Sequence, residues 1–228
     1  MHRNIKIAAN AGKRIARILI VDDHPVVREG LALRISSQPD MEVCGEAADI
    51  ASALQLVADT KPDVAVVDIA LKDGNGIDLI KRIRAHEGSV RILVWSMYNE
   101  SLYAERALRA GAMGYLNKEQ ATDRIDVIRR VLEGKICLSD PLAEQLLSRT
   151  LGHGAPDLQR SPVETLSDRE LEVFRLIGLG LGTQGISDKM RVSPKTVETY
   201  RARIKEQLNI ASAPGLARRA VQWVVENG

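Results

Sequence analysis

The feature that most constrains this chain is an alternation of short apolar runs with segments of helical spacing, from residue 15 to about residue 135. The apolar runs predicted to be strands are residues 16–21, 41–45, 63–68, 91–95 and 114–116. The helical segments that follow them are residues 26–35, 50–58, 76–83, 102–110 and 125–132. Five strand–helix pairs predict a parallel α/β sheet with helices on both faces, because parallel strands need crossover connections.

Composition excludes several classes of protein. With 228 residues, 45% of them hydrophobic and 27% charged, the chain is neither disordered nor collagen-like nor a coiled-coil rod. Its longest apolar runs are too short to span a bilayer, so no membrane partner is expected. Aromatic residues make up 3%, which argues against a single-strand binder built on stacking. A net charge of +2 is by itself too weak to indicate a nucleic-acid partner.

The N-terminus and the cysteines give little indication of function. Residues 1–14 carry four basic side chains and no acid, and they lack the apolar core of a signal peptide, so we expect a flexible extension. Cys44 and Cys137 stand far apart among apolar residues and form no CxxC pair. We predict that both are buried small hydrophobic residues in a reducing cytosol, forming neither a disulfide nor a zinc site.

Polar residues collect just beyond the carboxyl ends of four predicted strands. Asp22 and Asp23 follow the first, Asp68 ends the third, Ser96 follows the fourth and Lys118 follows the fifth. Ligands bind at this edge of open α/β sheets, so these side chains should cluster in space. Paired acids alone would also suit a helix cap and a solvated loop. Because Asp68, Ser96 and Lys118 stand at the corresponding ends of three further strands, a chemical site is favoured over a cap or loop.

The residue types in this cluster fit phosphoryl chemistry. Three ionised carboxylates repel one another, and a hard cation such as Mg²⁺ relieves that repulsion through oxygen ligands. An aspartate can act as the nucleophile towards phosphorus and form an aspartyl phosphate. The metal and Lys118 would neutralise the phosphoryl oxygens, and Ser96 could donate a hydrogen bond to one of them.

Residues 16–135 resemble the receiver domain of two-component response regulators. The matching segments are LIVDDHPVVREGL (19–31), VVDIALKDGNGIDLIKRIR (66–84) and VWSMYNESLYAERALRAGAMGYLNKE (94–119). The resemblance implies a flavodoxin-like (βα)5 fold with Asp68 as phosphoacceptor. It also implies Mg²⁺ bound directly by Asp23 with help from Asp22, in a ligand set that includes Asp68 and the backbone carbonyl of Ala70.

The resemblance also implies a switch. Ser96 is the switch hydroxyl, Lys118 is the family's lysine, and Tyr115 is the switch aromatic that rotates inward as Ser96 moves toward the phosphoryl group. Two residues depart from the family pattern. Lys72 replaces a common proline, and either attracts an anionic donor or is a solvated lysine. Trp95 replaces a small or aliphatic residue, and either restrains Ser96 or packs in the core.

A change in pattern follows the fifth predicted helix. Residues 148–163 concentrate Gly, Pro and Ser and indicate a linker, preceded by a short helix at 141–147. Beyond it the pattern is wholly helical. Ser167 and Glu170 predict a capping box, and further helices are predicted at 183–190, 194–208 and 214–226. A helix, a short turn and a longer helix are the order of a helix-turn-helix.

The third of these helices is basic. Residues 189–205 hold six basic side chains against one acid, Glu198, which suits phosphate contacts, although charge alone would also fit a solvated amphipathic helix. Residues 166–225 resemble the LuxR-type four-helix DNA-binding domain, on LSDRELEVFRLIGLGLG (166–182) and ISDKMRVSPKTVETYRARIKEQLNI (186–210). With a receiver in front, the whole chain resembles a response regulator of the NarL/FixJ class.

This second resemblance implies contacts with double-stranded DNA. Residues 194–208 would lie in the major groove. The residues implied to face bases are Glu198, Thr199 and Ala202, and those implied to meet phosphates are Lys195, Thr196, Arg203 and Lys205. Ser187 and Gly185 depart from the pattern, and the glycine should destabilise its helix slightly. The apolar residues of the last helix, either a dimer contact or plain core, are Leu216, Val221, Val224 and Val225.

The expected function is a phosphorylation-controlled transcription factor in the cytoplasm. A histidine kinase would phosphorylate Asp68, and the phosphorylated chain would bind DNA as a homodimer; no activity on a diffusible substrate is expected. The alternatives are a phosphorylation-independent transcription factor and a signalling protein whose helical domain binds protein. The expected units are an extension (1–14), a receiver (15–135), a short helix and linker (136–165) and a DNA-binding domain (166–228).

Charge is divided between the two domains. Residues 15–150 carry 17 basic and 21 acidic side chains, whereas residues 166–228 carry 10 and 7. The near-neutral total therefore hides an acidic regulatory domain and a basic DNA-facing one. Opposite signs would let the two domains attract each other in a closed, unphosphorylated state.

Overall fold

A computed structural model describes residues 14–119, 123–150 and 161–227 of the chain. The predicted N-terminal extension, apart from Arg14, lies outside the described residues, as do residues 151–160 of the predicted linker. The described residues form an α/β unit followed by a helical unit, which confirms the predicted fold class.

A five-stranded parallel sheet is the centre of the first unit. Its strands are β1 (Ala16–Val21), β2 (Met41–Ala47), β3 (Val64–Val67), β6 (Arg91–Ser96) and β7 (Gly114–Asn117). They lie in the order β2-β1-β3-β6-β7, so the chain doubles back around β1. This order places the carboxyl ends of β1, β3, β6 and β7 in a continuous row, as a shared ligand site at the edge of the sheet requires.

The second strand is two residues longer than predicted and contains an irregularity. Ile18 pairs with Val43 but Leu19 pairs with Gly45, so Cys44 is the extra residue of a bulge. Cys44 is consequently only partly buried, with its Sγ 3.4 Å from Thr60 Oγ1, and the prediction that it is a buried residue was wrong. Cys137 is buried as predicted, and both thiols are free.

A short antiparallel hairpin joins β3 to the next helix and was not predicted. It consists of β4 (Ala70–Leu71) and β5 (Gly74–Asn75), with Lys72 exposed in its turn. Two-residue strands are too short to show an alternating pattern, so the sequence carried no signal for them. The hairpin places Asn75 beside the site.

Helices cover both faces of the sheet. They are α1 (Pro25–Ser36), α2 (Ile50–Thr60), α3 (Gly76–His86), α4 (Glu100–Ala110) and α5 (Arg124–Leu132). A sixth helix, α6 (Asp140–Thr150), follows them in the chain. Side chains of each strand alternate between two apolar layers. Ile92 and Val94 of β6 pack on one side, and Leu93 and Trp95 pack on the other. Burial on both faces explains the continuous apolar strands.

The second unit contains a 3₁₀ turn (Pro162–Thr165) and four helices. These are α7 (Asp168–Gly178), α8 (Thr183–Met190), α9 (Pro194–Gln207) and α10 (Ala213–Asn227). The predicted capping box of Ser167 and Glu170 is present at α7. Gly178 lets α7 approach α10 closely, because a Cβ there would lie 2.4 Å from the carbonyl oxygen of Ala220.

Burial separates the apolar residues of α10, which were predicted to be either a dimer contact or core. Leu216 of α10 is fully buried and belongs to the core, which was one of the two alternatives, whereas Val221 and Val225 are exposed. Within the described residues, no helix is both long and apolar enough to cross a membrane.

Candidate phosphorylation site and DNA-binding helix

The polar residues predicted to converge do so at the carboxyl edge of the sheet. Lys118 reaches back from the end of β7 and bridges two carboxylates, with its Nζ 2.5 Å from Asp22 Oδ2 and 2.6 Å from Asp68 Oδ2. All three side chains are at least 95% buried. A buried cation between two buried anions offsets much of the desolvation that each would otherwise suffer.

The second oxygen of Asp68 is also bound. The Ser96 hydroxyl donates to Asp68 Oδ1 at 2.6 Å, and the amide of Ala70 lies 3.3 Å from the same atom. Burial raises the pKa of the Asp68 carboxyl, while the charge of Lys118 and the hydrogen bonds from Lys118 and Ser96 lower it, and the net pKa is above 3.8. After the hairpin the backbone returns close to Asp68. A Cβ at position 76 would lie 2.1 Å from the Asp68 carbonyl oxygen, so this close approach requires Gly76.

Asp22, Asp23 and Asp68 bring their carboxylates together, with His24 as a fourth member. One ligand atom of each of the four lies within 4.8 Å of the others. Asp23 Oδ1 is shielded from solvent and has no hydrogen-bond partner among the described residues, although His24 Nδ1 lies 2.8 Å away. His24 was missed, since a histidine after two acids gives no signal of its own. An orphaned carboxylate oxygen beside two further carboxylates fits a hard, oxygen-preferring cation such as Mg²⁺.

Tyr115 is fully buried rather than turned toward solvent. Its hydroxyl donates to the carbonyl of Tyr98 at 2.8 Å, and burial raises its pKa. Ser96 already contacts Asp68 itself. Both residues occupy the inward positions that the resemblance associates with the switch.

The helix predicted to enter DNA presents most of the predicted residues to solvent. Ser193 caps α9 with Pro194 in its first turn, and Val197 and Ile204 bury its inner face. The exposed residues are Lys195, Glu198, Thr199, Ala202 and Arg203, and the half-buried ones are Thr196 and Lys205. Glu198 accepts a hydrogen bond from Thr183 of α8 at 2.6 Å, which ties the two helices of the motif together.

Ser187, a departure from the LuxR-type pattern, has a structural role in this motif. Its buried hydroxyl donates to the carbonyl of Val192 at 2.6 Å and closes the turn between α8 and α9. A Cβ added at Gly185 would lie 3.7 Å from its nearest neighbouring atom, so packing does not require a glycine there.

Comparison with known proteins identifies the family. Residues 18–129 match the response regulator receiver domain, and residues 164–220 match the bacterial regulatory proteins of the luxR family. The chain is 32% identical to the response regulator GacA of Pseudomonas aeruginosa, covering 90% of this chain and 95% of the relative. The chain belongs to the NarL/FixJ class of two-component response regulators. Members of this class regulate transcription and do not act on a diffusible substrate.

Two further similarities cover the same span of this response regulator. The oxygen regulatory protein NreC of Staphylococcus carnosus is 34% identical over 90% of this chain and 97% of the relative. RcsB, in a structure of two RcsB dimers bound to two parallel DNAs, is 25% identical in sequence to this chain, with a TM-score of 0.55. The similarity covers 90% of this chain and 97% of the RcsB chain.

The two domains of the response regulator contact each other near Asp68. Asn75 of the hairpin donates to Glu172 of α7 at 3.2 Å. Glu172 pairs with Arg175, whose guanidinium carbon lies 5.1 Å from the ring centroid of Tyr98. Glu172 also holds the pKa of the Arg175 guanidinium above its usual value although burial opposes this. Asn75 ends the hairpin that follows Asp68, and Tyr98 lies two residues after Ser96 at the end of β6. Sequence reasoning assigned neither a role.

Further ion pairs extend this interface along α3 and α4. Lys81 and Arg106 both contact Asp168, at 2.6 and 2.9 Å, and Arg169 contacts Asp78 at 2.7 Å. The guanidinium of Arg106 also donates to the Glu164 carbonyl at 2.9 Å. Charges of both signs come from both domains, so the interface depends on specific pairs rather than on the difference in net charge.

Proposed function

We propose that this response regulator accepts a phosphoryl group on Asp68 from a histidine kinase, and that this event controls its binding to specific DNA sites. The observation that carries the proposal is the buried Asp68 carboxylate, which is held by Lys118 on one oxygen and by Ser96 on the other. In the transferred state Lys118 and Ser96 neutralise and hydrogen-bond the phosphoryl oxygens. Tyr115, whose hydroxyl donates to the carbonyl of Tyr98, transmits the change in structure at Asp68 to the segment that carries Tyr98.

Mg²⁺ is the cofactor that the site fits. Asp23 supplies the orphaned Oδ1 oxygen, and Asp22, Asp68 and the Ala70 carbonyl complete the proposed ligand set. When bound, the ion supplies positive charge to the phosphoryl oxygens. The nitrogen of His24 is a poorer ligand for this hard cation, so the proposed ligand set consists of oxygen atoms and leaves His24 out.

The kinase docks on the side of the site that the DNA-binding domain leaves open. A donor must come within bonding distance of Asp68, and the cleft beside Lys118 is lined by exposed apolar side chains as well as by Arg34 and Arg124. Val26 is 80% exposed and Met97 is 50% exposed, with Leu33 continuing the patch along α1 at 74%. Exposed apolar residues at this density suit a protein partner.

The DNA-binding domain reads double-stranded DNA with α9. Glu198, Thr199 and Ala202 face bases. Contacts with phosphates come from Lys195, Thr196, Arg203 and Lys205. The RcsB similarity, in which two dimers are bound to two DNAs, supports a homodimer on DNA. Val221 and Val225 are the exposed apolar residues of α10 available for that contact.

In the unphosphorylated chain the contacts of α7 with the receiver hold the two domains together. The predicted DNA-contacting residues of α9 remain mostly exposed, so regulation restricts the orientation and pairing of the DNA-binding domains rather than the chemical surface of α9. Phosphorylation moves the loops that carry Asn75 and Tyr98, weakens these contacts and favours the dimer. We place the protein in the cytoplasm, with limits 15–135 for the receiver, 136–165 for the short helix and linker, and 166–228 for the DNA-binding domain.

A phosphorylation-independent transcription factor is the second candidate. In that case the hydrogen bond from Ser96 to the Asp68 carboxylate and the buried position of Tyr115 would be a permanent arrangement rather than one reached by phosphorylation.

One experiment separates the two candidates. The purified chain is incubated with Mg²⁺ and acetyl phosphate, its mass is measured, and its binding to target DNA is followed by fluorescence anisotropy. We expect one added phosphate and tighter DNA binding, both lost in Asp68→Asn and retained in Asp59→Asn, an exposed aspartate of α2. DNA binding that is equally tight in wild type and Asp68→Asn would support the second candidate.

A further inference from the structure

Trp95 has an unusual environment for a core residue. It is 7% exposed and lies on β6 immediately before Ser96, among apolar side chains between the sheet and helices α1 and α5. Two cations approach its ring. The Lys118 Nζ lies 5.5 Å from the centroid, and the guanidinium carbon of Arg124 lies 4.9 Å from it. Both distances are within the range of cation–π attraction, for which indole is the best side chain.

The contact with Lys118 completes the surroundings of the ammonium group. An ammonium has three N–H donors, and two of those on Lys118 point to Asp22 and Asp68. The Trp95 ring is the aromatic surface beside this group, and it attracts the remaining positive charge without neutralising a carboxylate. The ring therefore stabilises Lys118 where it bridges the two carboxylates.

Arg124 connects the same ring to the backbone of Lys118. Its guanidinium lies over the Trp95 ring and donates to the Lys118 carbonyl at 3.3 Å. An aliphatic residue at position 95 would fill the core but would attract neither cation. Trp95 thus restrains Lys118 at its side-chain end and, through Arg124, at its backbone.

The restraint matters because a cleft opens next to Lys118. It has a volume of about 350 Å³, and its lining includes Val26, Met97, Trp95, Lys118 and Arg124. A flexible lysine beside such an opening can rotate toward solvent, away from Asp68. Attraction to the Trp95 ring opposes that rotation.

We propose that Trp95 is a positioning residue for phosphoryl transfer, whose ring holds the ammonium of Lys118 against Asp68 and so raises the rate of the reaction. The proposal rests on the proposed function of Asp68. With acetyl phosphate as donor, an oxygen of the Asp68 carboxylate forms a bond to phosphorus. The bond from phosphorus to the acetate oxygen breaks, and its electron pair leaves with acetate. Lys118 acts by stabilising charge on the phosphoryl oxygens, and Trp95 acts only through Lys118.

The test measures the rate of phosphate incorporation from acetyl phosphate by intact mass in the full chain with Mg²⁺. Trp95→Leu keeps an apolar side chain but removes the ring, and we expect a rate about tenfold lower. Trp95→Phe keeps an aromatic face and removes an Nε1 that has no partner among the described residues, so it should fold and stay within about threefold of wild type. Leu93→Ala, two residues earlier on the same face of β6, is the matched core control and should leave the rate nearly unchanged.

A double-mutant cycle distinguishes positioning from packing. In a Lys118→Ala background, Trp95→Leu should have no further effect, because the residue through which it acts is gone. Equal losses in Trp95→Leu and Leu93→Ala, or a further loss in the Lys118→Ala background, would overturn the proposal. Trp95→Leu could melt below the assay temperature, or Lys118→Ala could be too slow to measure. In either case the rates of Trp95→Phe and Trp95→His are compared instead. The proposal requires the histidine variant to be slower, because only histidine has a much weaker cation-binding face. Failure to label wild type at all would instead contradict the proposed function of Asp68.

Discussion

The guanidinium of Arg175 lies over the ring of Tyr98, with 5.1 Å between its central carbon and the ring centroid. A helix of the DNA-binding domain thereby contacts the residue two positions after Ser96, the hydroxyl that binds Asp68. Through Glu172, Arg175 is also linked to Asn75 on the other side of the site. Because coupling between two sites is reciprocal, a change at Asp68 that moves either loop must change how tightly the domains associate.

Removing Arg175 should separate the domains. Arg175→Ala leaves the buried Glu172 carboxylate without its cation, which costs on the order of 3 kcal/mol for a buried pair. We expect the radius of gyration from small-angle X-ray scattering to rise. The control is Arg203→Ala, which changes an exposed arginine of α9. An unchanged radius for Arg175→Ala would show that this contact does not hold the domains.

Salt should weaken the interface, whereas moderate changes of pH should not. Burial raises the pKa of Asp168, but hydrogen bonds from Lys81 and Arg106 outweigh it and hold the pKa below 3.8. A lowered folded pKa gives stability that is present above 3.8 and is lost only as the pH falls through the lower folded value. Scattering curves should therefore coincide from about pH 5 to about pH 8, and should indicate opening as salt rises from about 0.1 M to about 1 M.

Asp68→Asn should stabilise the metal-free protein. The pKa of Asp68 is raised, chiefly by burial, so its stability contribution is fully present below 3.8 and is lost as the pH rises through the folded value. Asparagine carries no charge at any pH, and we expect a gain in unfolding free energy near neutrality that shrinks toward acid. Thermal unfolding in EDTA at several pH values measures it, with the exposed Asp59→Asn as control. A gain in stability that grows as the pH falls would contradict the raised pKa of Asp68.

Two glycines of the DNA-binding domain should respond in opposite ways to alanine. At Gly178 the added Cβ would lie 2.4 Å from the Ala220 carbonyl oxygen and 2.5 Å from Val224 Cγ2, so Gly178→Ala should destabilise the domain by about 2 kcal/mol. Gly185→Ala meets no atom closer than 3.7 Å and should stabilise α8 by up to about 1 kcal/mol. Urea unfolding compares the two variants, and equal effects would contradict the assigned packing of α7 on α10.

Lys195→Ala should weaken binding to specific and random DNA alike. One lost phosphate contact lowers the slope of log affinity against log salt by about 1. Anisotropy titrations at several salt concentrations measure the slope, and Lys72→Ala, an exposed lysine of the receiver, should leave it unchanged. A salt-dependence slope for Lys195→Ala equal to that of wild type would show that Lys195 does not contact a DNA phosphate.

Residues with strong local patterns were predictable, and residues that act through contacts between elements were not. The first strand, residues 16–21, has the predicted limits, and the capping box of Ser167 and Glu170 is present. Asn75 and Tyr98 were missed because neither belongs to a periodic pattern or a charged cluster. Cys44 was placed wrongly because a bulge depends on how two strands pair, and a single strand does not reveal its register.

The sequence by itself determined the order of strands and helices and, through it, the meeting of Asp22, Asp68, Ser96 and Lys118 at one edge of the sheet. Periodic burial and the common direction of parallel strands are local rules that act over short stretches of chain. Only the tertiary structure decided that α7 docks beside Asp68 and that Trp95 faces Lys118. Such contacts join residues distant in sequence through charge and shape complementarity, which no periodicity in the chain records.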